Sequence, residues 1–172
     1  GGLTPYQKFT ATQSVAKDNQ KRTEGAREMA RQAQLIDQSY NNVVNGGDRS
    51  LNTQAIITSF NKILDPSSVV RESEYDRTSE GQSLLSQLQG KYDNIVAGGA
   101  GVTEATLKEA ADIAKTYLER SKASIKAEND RAIKMADEFG LNSDFVSNTY
   151  QDASGGDTPP GDVDGLLGKY GL

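Results

Sequence analysis

The chain has 172 residues, of which 35% are apolar and 25% charged, with no tryptophan and a formal charge of −5 at neutral pH. That composition suits a thin helical bundle better than a thick globular core, and the negative balance argues against a general phosphate-binding surface. With neither cysteine nor histidine, disulfides, thiolate nucleophiles and the commonest general base and metal ligand are excluded, so any chemistry would fall to carboxylates, lysine, tyrosine or hydroxyls.

Apolar runs stop at two or three residues, so neither a signal peptide nor a membrane span is expected. The chain begins Gly1-Gly2 without methionine, which leaves open a processed product or part of something longer. Residues 1–9 read as an extended segment, and a helical domain is expected over 10–153. Its first long helix runs from about Thr10 to Val44 and is stopped by Asn45-Gly46-Gly47. Val15, Asn19, Arg22, Ala26, Met29, Ala33, Ile36, Tyr40 and Val43 follow steps of four and three, the spacing of a coiled-coil seam.

Residues 52–64 place Ile56, Ile57, Phe60, Ile63 and Leu64 on one face of an amphipathic helix. Asp65-Pro66 ends it, because proline disfavours helical geometry in the residue before it; Asp65 with Pro66 at the first helical position can open the next turn. Val69 and Val70 are then expected to face a core, with Arg71 reaching Glu74 three residues on. A further helix is expected over 79–96, with Leu84, Leu85, Leu88, Tyr92, Ile95 and Val96 on one face and a Ser79–Gln82 capping box. Gly98-Gly99-Ala100-Gly101 reads as a flexible turn.

A second long helix should run from Thr103 to about Phe139, with the seam Leu107, Ala111, Ala114, Leu118, Ser121, Ile125, Glu128, Ala132, Met135 and Phe139. Laid antiparallel with Val43 beside Leu107, the two seams bring Ile36 to Ala114 and Arg22 to Glu128. The misplaced charges then meet instead of being desolvated alone. GLNSDFV supports one short helix opened by Ser143. SGGDTPPGD, residues 154–162, is a flexible linker, and residues 163–172 end the chain with Val163, Leu166, Leu167 and Tyr170 at helical spacing. That apolar segment is expected to dock on its own domain or on a partner, with fraying as the third outcome. The expected fold class is therefore all-α: an elongated helical bundle with two long heptad-patterned helices, two shorter helices between them and an extended C-terminal tail.

No motif carries catalysis. Glu72 and Glu74 are close in sequence, but residues two apart on a helix diverge, whereas a glycosidase needs its acids across a cleft. No stretch has the alternating oxygen ligands of a calcium loop, and the Gly98–Gly101 run lacks the preceding strand and following Gly-Lys-Ser/Thr of a phosphate loop. Lys17, Lys21, Arg22, Arg27 and Arg31 make the first helix locally basic, as do Lys115, Arg120, Lys122 and Lys126 the last. Interspersed acids make a solvated face the better reading, while charge and reach leave room for incidental contact with packaged nucleic acid.

The phrases ILDPSSVVRESEYDR, LLSQLQGKY, TEATLKEAADIAKTYLERSKASI and ADEFGLNSDFV, in that order over about Ile56 to Val146, resemble a recurrent helical module of tailed-bacteriophage proteins. LTPYQKFTATQSVAKD and VDGLLGKYGL are similar to the ends of such proteins. Where those modules carry an alanine-rich segment this chain has DRTSEGQS. The resemblance implies a non-enzymatic virion protein, internal, ejected or tail-associated, without cofactors or a small-molecule substrate. A thin bundle with alanine-rich seams buries little as a monomer, so completion by other copies in a homo-oligomer or by partner chains is expected; the resemblance implies that such partners are other virion proteins, such as portal, tail or internal core. Its location would be the virion, with delivery to the host envelope and membrane contact left open. The alternative is a non-catalytic helical segment of a larger ejection protein whose peptidoglycan-cleaving domain lies elsewhere; the missing methionine favours it slightly. The residues expected to carry interaction or structure are Asp65, Pro66, Val69, Val70, Arg71, Glu72, Glu74, Leu166, Leu167 and Tyr170.

Overall fold

A computed structural model describes residues 2–72, 75–147, 167, 168 and 171, without the side chains of Glu72, Tyr75 and Ala100. The described residues are all-α: α1 (Pro5–Val44), α2 (Arg49–Leu64), two 3-10 turns (Val69–Glu72 and Tyr75–Arg77), α3 (Ser79–Gly98), a 3-10 turn (Gly99–Gly101), α4 (Glu104–Glu138) and α5 (Ser143–Val146). They fall into two compact units, one of residues 25–122 and one of residues 1–24 with 123–172, and α1 and α4 contribute to both.

The first helix starts earlier than the apolar pattern suggests. Thr4 and Gln7 form a reciprocal capping box, Gln7 N–H donating to Thr4 Oγ1 at 3.2 Å and Thr4 N–H to Gln7 Oε1 at 2.9 Å. Pro5 occupies the first helical position, where its missing N–H costs nothing. Residues 5–9, expected to be extended, are therefore helical. Both long helices end in the same way. Gly46 (φ 88°) and Gly140 (φ 64°) take the left-handed conformation. The next residues, Gly47 and Leu141, donate back to Asn42 O at 2.7 Å and Ala136 O at 2.8 Å, closing Schellman motifs. Leu141 then packs in the same cluster as Ala136, the hydrophobic contact that accompanies this motif.

In the unit of residues 25–122, Met29, Ile36, Ile56, Phe60, Ile63, Val70, Leu88, Ile95, Leu107 and Tyr117 are buried in one cluster. The face expected of α2 delivers Ile56, Phe60 and Ile63, and that of α3 delivers Leu84, Leu85, Leu88 and Ile95. Phe60 meets the Tyr92 ring edge-on, with centroids 6.3 Å apart. Asp48 caps α2 by accepting from Leu51 N–H at 2.7 Å. Thr78, one residue before the expected Ser79, caps α3 through Gly81 N–H at 3.0 Å. Gln82 donates its amide to the Asp76 carbonyl rather than completing a box with Ser79.

The second unit is built on small residues. Ala16, Ala132 and Ala136 form its core with Leu141, Phe145 and Val146, flanked by Phe9, Ala11 and Val15. Here the seam of α1 is turned by one position from the expected line: Ala16 and Thr23 are buried while Val15 is partly covered and Arg22 is exposed. On α4 the same shift replaces Met135 by Ala136 and leaves Phe139 exposed, and in the other unit it sets Tyr117 deeper than Leu118. The polar layer of the seam is correspondingly not Arg22 with Glu128. Arg22 Nε binds Asp18 at 2.8 Å and Glu128 accepts from Arg131 at 3.0 Å. The layer is formed instead by Asn19, whose Nδ2 donates to Asn129 Oδ1 and to the Val146 carbonyl, both at 2.9 Å. A neutral amide pair avoids the desolvation of two full charges. The expected antiparallel register would set Asn19 against residue 131 and Asp37 against residue 113. The observed partners are Asn129 and Lys115, two residues away in opposite senses.

Two glycines test the backbone logic. A Cβ on Gly47 would lie 2.7 Å from the Asn42 carbonyl oxygen, whereas one on Gly90, within α3, meets nothing within 4 Å. Gly47→Ala should lower stability by roughly 1–3 kcal/mol through that clash, and Gly90→Ala should raise it by about 0.5–1 kcal/mol through lost unfolded-state freedom. Urea unfolding midpoints of the two variants check both signs.

Candidate functional site

The corner between α2 and α3 is assembled from its first residue. Asp65 is exposed, and its Oδ1 accepts from Ser67 N–H at 2.9 Å and from the Ser67 hydroxyl at 2.8 Å, an Asx turn that redirects the chain around Pro66. Those bonds, the backbone one first, hold the Asp65 carboxyl below its ordinary pKa. Ser68 N–H donates to the Asp65 carbonyl at 2.9 Å and Arg71 N–H to the Ser68 carbonyl at 3.1 Å, winding the chain into the first 3-10 turn. Pro66 thus sits in a turn rather than at the start of an α-helix. Of the two valines, Val70 is fully buried in the core and Val69 is half-buried.

Arg71 turns to Asp76, whose Oδ2 lies 3.6 Å from its Nε. The Asp76 side chain is 1% exposed, and its Oδ1 accepts from the Tyr117 hydroxyl of α4, itself 1% exposed. With Gln82 of α3 donating to the Asp76 carbonyl, one residue links the 3-10 turns, α3 and α4. Desolvation raises the Asp76 pKa above the ordinary value of 3.8, while the Tyr117 hydrogen bond and the Arg71 charge pull it back in part.

Among the expected residues, the structure therefore buries Val70 in the core and pairs Arg71 with an acid that was not among them. Glu72 lies in the first 3-10 turn, and Glu74, Leu166 and Tyr170 lie outside the described residues, as does the expected Arg71–Glu74 pair. Leu167 is helical and half-buried, and belongs to the other unit. The arrangement at Asp76 fastens elements to one another. Among the described residues no group of acidic side chains could hold a metal ion, and no helix is long and apolar enough to cross a membrane. Several cations on the two basic stretches are paired: Arg31 with Glu28, Lys115 with Asp37, Arg120 with Glu80 and Lys126 with Asp130.

Comparison of the chain with protein-family models, with curated proteins and with solved structures gives no match.

Val70→Asp should destabilise the protein by about 3 kcal/mol or more, because it places an unpaired charge in the core. Val69→Asp should cost less and Pro66→Ala little. Equal melting temperatures for all three would show that the corner is not packed as described.

The Asp76 carboxyl also has a pH signature. A raised native pKa means that the native state holds this proton more tightly than the unfolded chain. The stabilisation from that proton is complete below pH 3.8 and is lost as pH rises through the raised native value. Asp76→Asn keeps an oxygen for Tyr117 and removes the titration. Relative to this variant, the parent should lose stability as pH rises from 3.8 through the raised native value. A difference that is flat or grows with pH would show that Asp76 does not titrate in this way.

Proposed function

We propose that this chain is a non-enzymatic structural component of a tailed-bacteriophage particle, acting in assembly or genome delivery through helical contacts with copies of itself and with other virion proteins. The observation that carries the reading is the phrase ILDPSSVVRESEY followed in order by LLSQLQGKY, the long TEATLKEAADIAKTYLERSKASI stretch and ADEFGLNSDFV. The fold supports it in kind, since each phrase corresponds to an element. The first is the end of α2 with the corner, the next α3, then α4, and finally the α4 stop with α5.

The surface supports it as well. Tyr6, Leu51 and Phe139 are 66%, 70% and 61% exposed, and covering such side chains by another chain removes apolar area from water at about 25 cal/mol per Å². The interspersed, paired charges of the basic stretches favour protein contacts over a nucleic-acid surface.

The C-terminal segment is the part assigned to recognition. In the sequence, the glycine- and proline-rich residues 154–162 precede the apolar Leu166, Leu167 and Tyr170, and an apolar hook that follows a linker has a raised effective concentration at a neighbouring site. Deleting residues 163–172 should leave the melting temperature of the isolated protein nearly unchanged while the truncated chain is lost from assembled particles. Quantitative mass spectrometry and imaging of purified particles read the second effect. Normal incorporation together with a large drop in melting temperature would assign the segment to the chain's own fold.

A further inference from the structure

A cavity of about 360 Å³ opens in the unit of residues 25–122, lined by Arg49, Ser50, Thr53, Gln54 and Ile57 of α2 and by Gly99 and Val102 beyond α3. That is the small end of the range for ligand pockets, about 300–1,000 Å³. Its lining includes one cation and no acid. Arg49 is exposed and forms no ion pair among the described residues. The neighbouring Asp48 is not part of the lining, and its carboxylate is engaged in capping Leu51 N–H at 2.7 Å.

Two further features qualify the wall. Thr53 is 5% exposed and its hydroxyl, closed off from solvent, has no hydrogen-bond partner among the described residues, a rare condition for a buried polar group. Gly99 has φ 51° and a Cβ there would meet nothing within 4 Å, so the wall at this point is bare backbone facing open space. Ile57 and Val102 supply the apolar surface.

We infer that this cavity is a docking site for a partner protein's peptide segment in which an acidic residue stands next to a branched aliphatic one. The carboxylate pairs with Arg49 and the aliphatic side chain packs on Ile57 and Val102. Charge complementarity selects this occupant: an unpaired guanidinium beside an apolar wall favours an anion carried on an aliphatic neighbour over a purely apolar or cationic one. The inference stands apart from the particle assignment, because it rests on the cavity alone.

The test uses the full chain, isotope-labelled for amide NMR, and two capped dipeptides, acetyl-Asp-Leu-N-methylamide and acetyl-Asn-Leu-N-methylamide. The aspartyl peptide should shift the amides of Ser50, Thr53, Ile57, Gly99 and Val102 saturably at millimolar concentration, and the asparaginyl peptide should bind roughly tenfold more weakly. Arg49→Gln, a substitution at an exposed site, should reduce the aspartyl peptide to the level of the asparaginyl one while leaving the melting temperature unchanged. The inference is overturned by the absence of saturable shifts up to about 20 mM, by equal binding of the two peptides, or by full binding in the Arg49→Gln protein.

Discussion

In the unit of residues 25–122 the 3-10 turns, α3 and α4 are joined at an aspartate whose carboxylate water scarcely reaches. Asp76 accepts the Tyr117 hydroxyl, faces Arg71 and offers its carbonyl to Gln82. The segment that supplies it consists of short 3-10 turns, whose own hydrogen bonds are too few to fix a conformation. The burial of Val70 depends on that segment being held, so the hydrophobic contact and the polar one are conditions for each other. A desolvated acid contributes little net stability, and part of the attraction to Arg71 and Tyr117 is consumed in taking it out of water. What it supplies is discrimination: alternative packings of the corner would leave the acid buried without these partners, which is far more costly than the native arrangement.

The other unit solves a related problem without charge. Its core is thin, with alanines where the first has isoleucine and phenylalanine, and its polar layer is a pair of amides. Asn19 uses both N–H groups of its side chain, one across the seam to Asn129 and one to the Val146 carbonyl at the end of α5. Its oxygen is buried without a partner among the described residues. That is a cost in stability of the kind associated with a single buried asparagine in a coiled-coil seam, where the return is a unique alignment. Close by, Asp18 collects Arg22 and Arg131 at 2.8 and 3.2 Å. Burial works to raise its pKa, and the two guanidiniums outweigh that and hold it below the ordinary value.

The helices were legible because their faces carry residues of high contrast. Ile56, Phe60 and Ile63 recur at helical spacing among polar neighbours, as do Leu84, Leu85, Leu88 and Ile95, and glycines mark the ends of α1 and α4. Rotation of the long helices was not legible. A seam of Ala16, Thr12 and Thr23 offers no more apolar contrast than its neighbours, so Val15 drew the line to the wrong side by one position. The start of α1 was readable in Thr4-Pro5-Tyr6-Gln7, a capping signal stronger than the weak apolar pattern that followed it. Asp76 had no local signal, since its burial is decided by a tyrosine far away in sequence. Tyr117 could have been suspected, because it stands three residues after Ala114 on a face where Leu118 seemed the better hydrophobe.

Alanine-rich seams are permissive: two such helices can slide past each other by a heptad and still present small apolar residues to one another. The amide pair changes the consequence of sliding. Moved by seven residues in either direction, Asn19 would meet Ala136 or Lys122 instead of Asn129, and its N–H groups would be buried against a methyl or beside an ammonium that can only donate. A mis-set pair of helices would therefore stay loose, still wetted at that layer, and free to keep moving. Only when the two asparagines come level can the seam dry out, so the same two residues that weaken the finished core act as a latch that closes at a single setting.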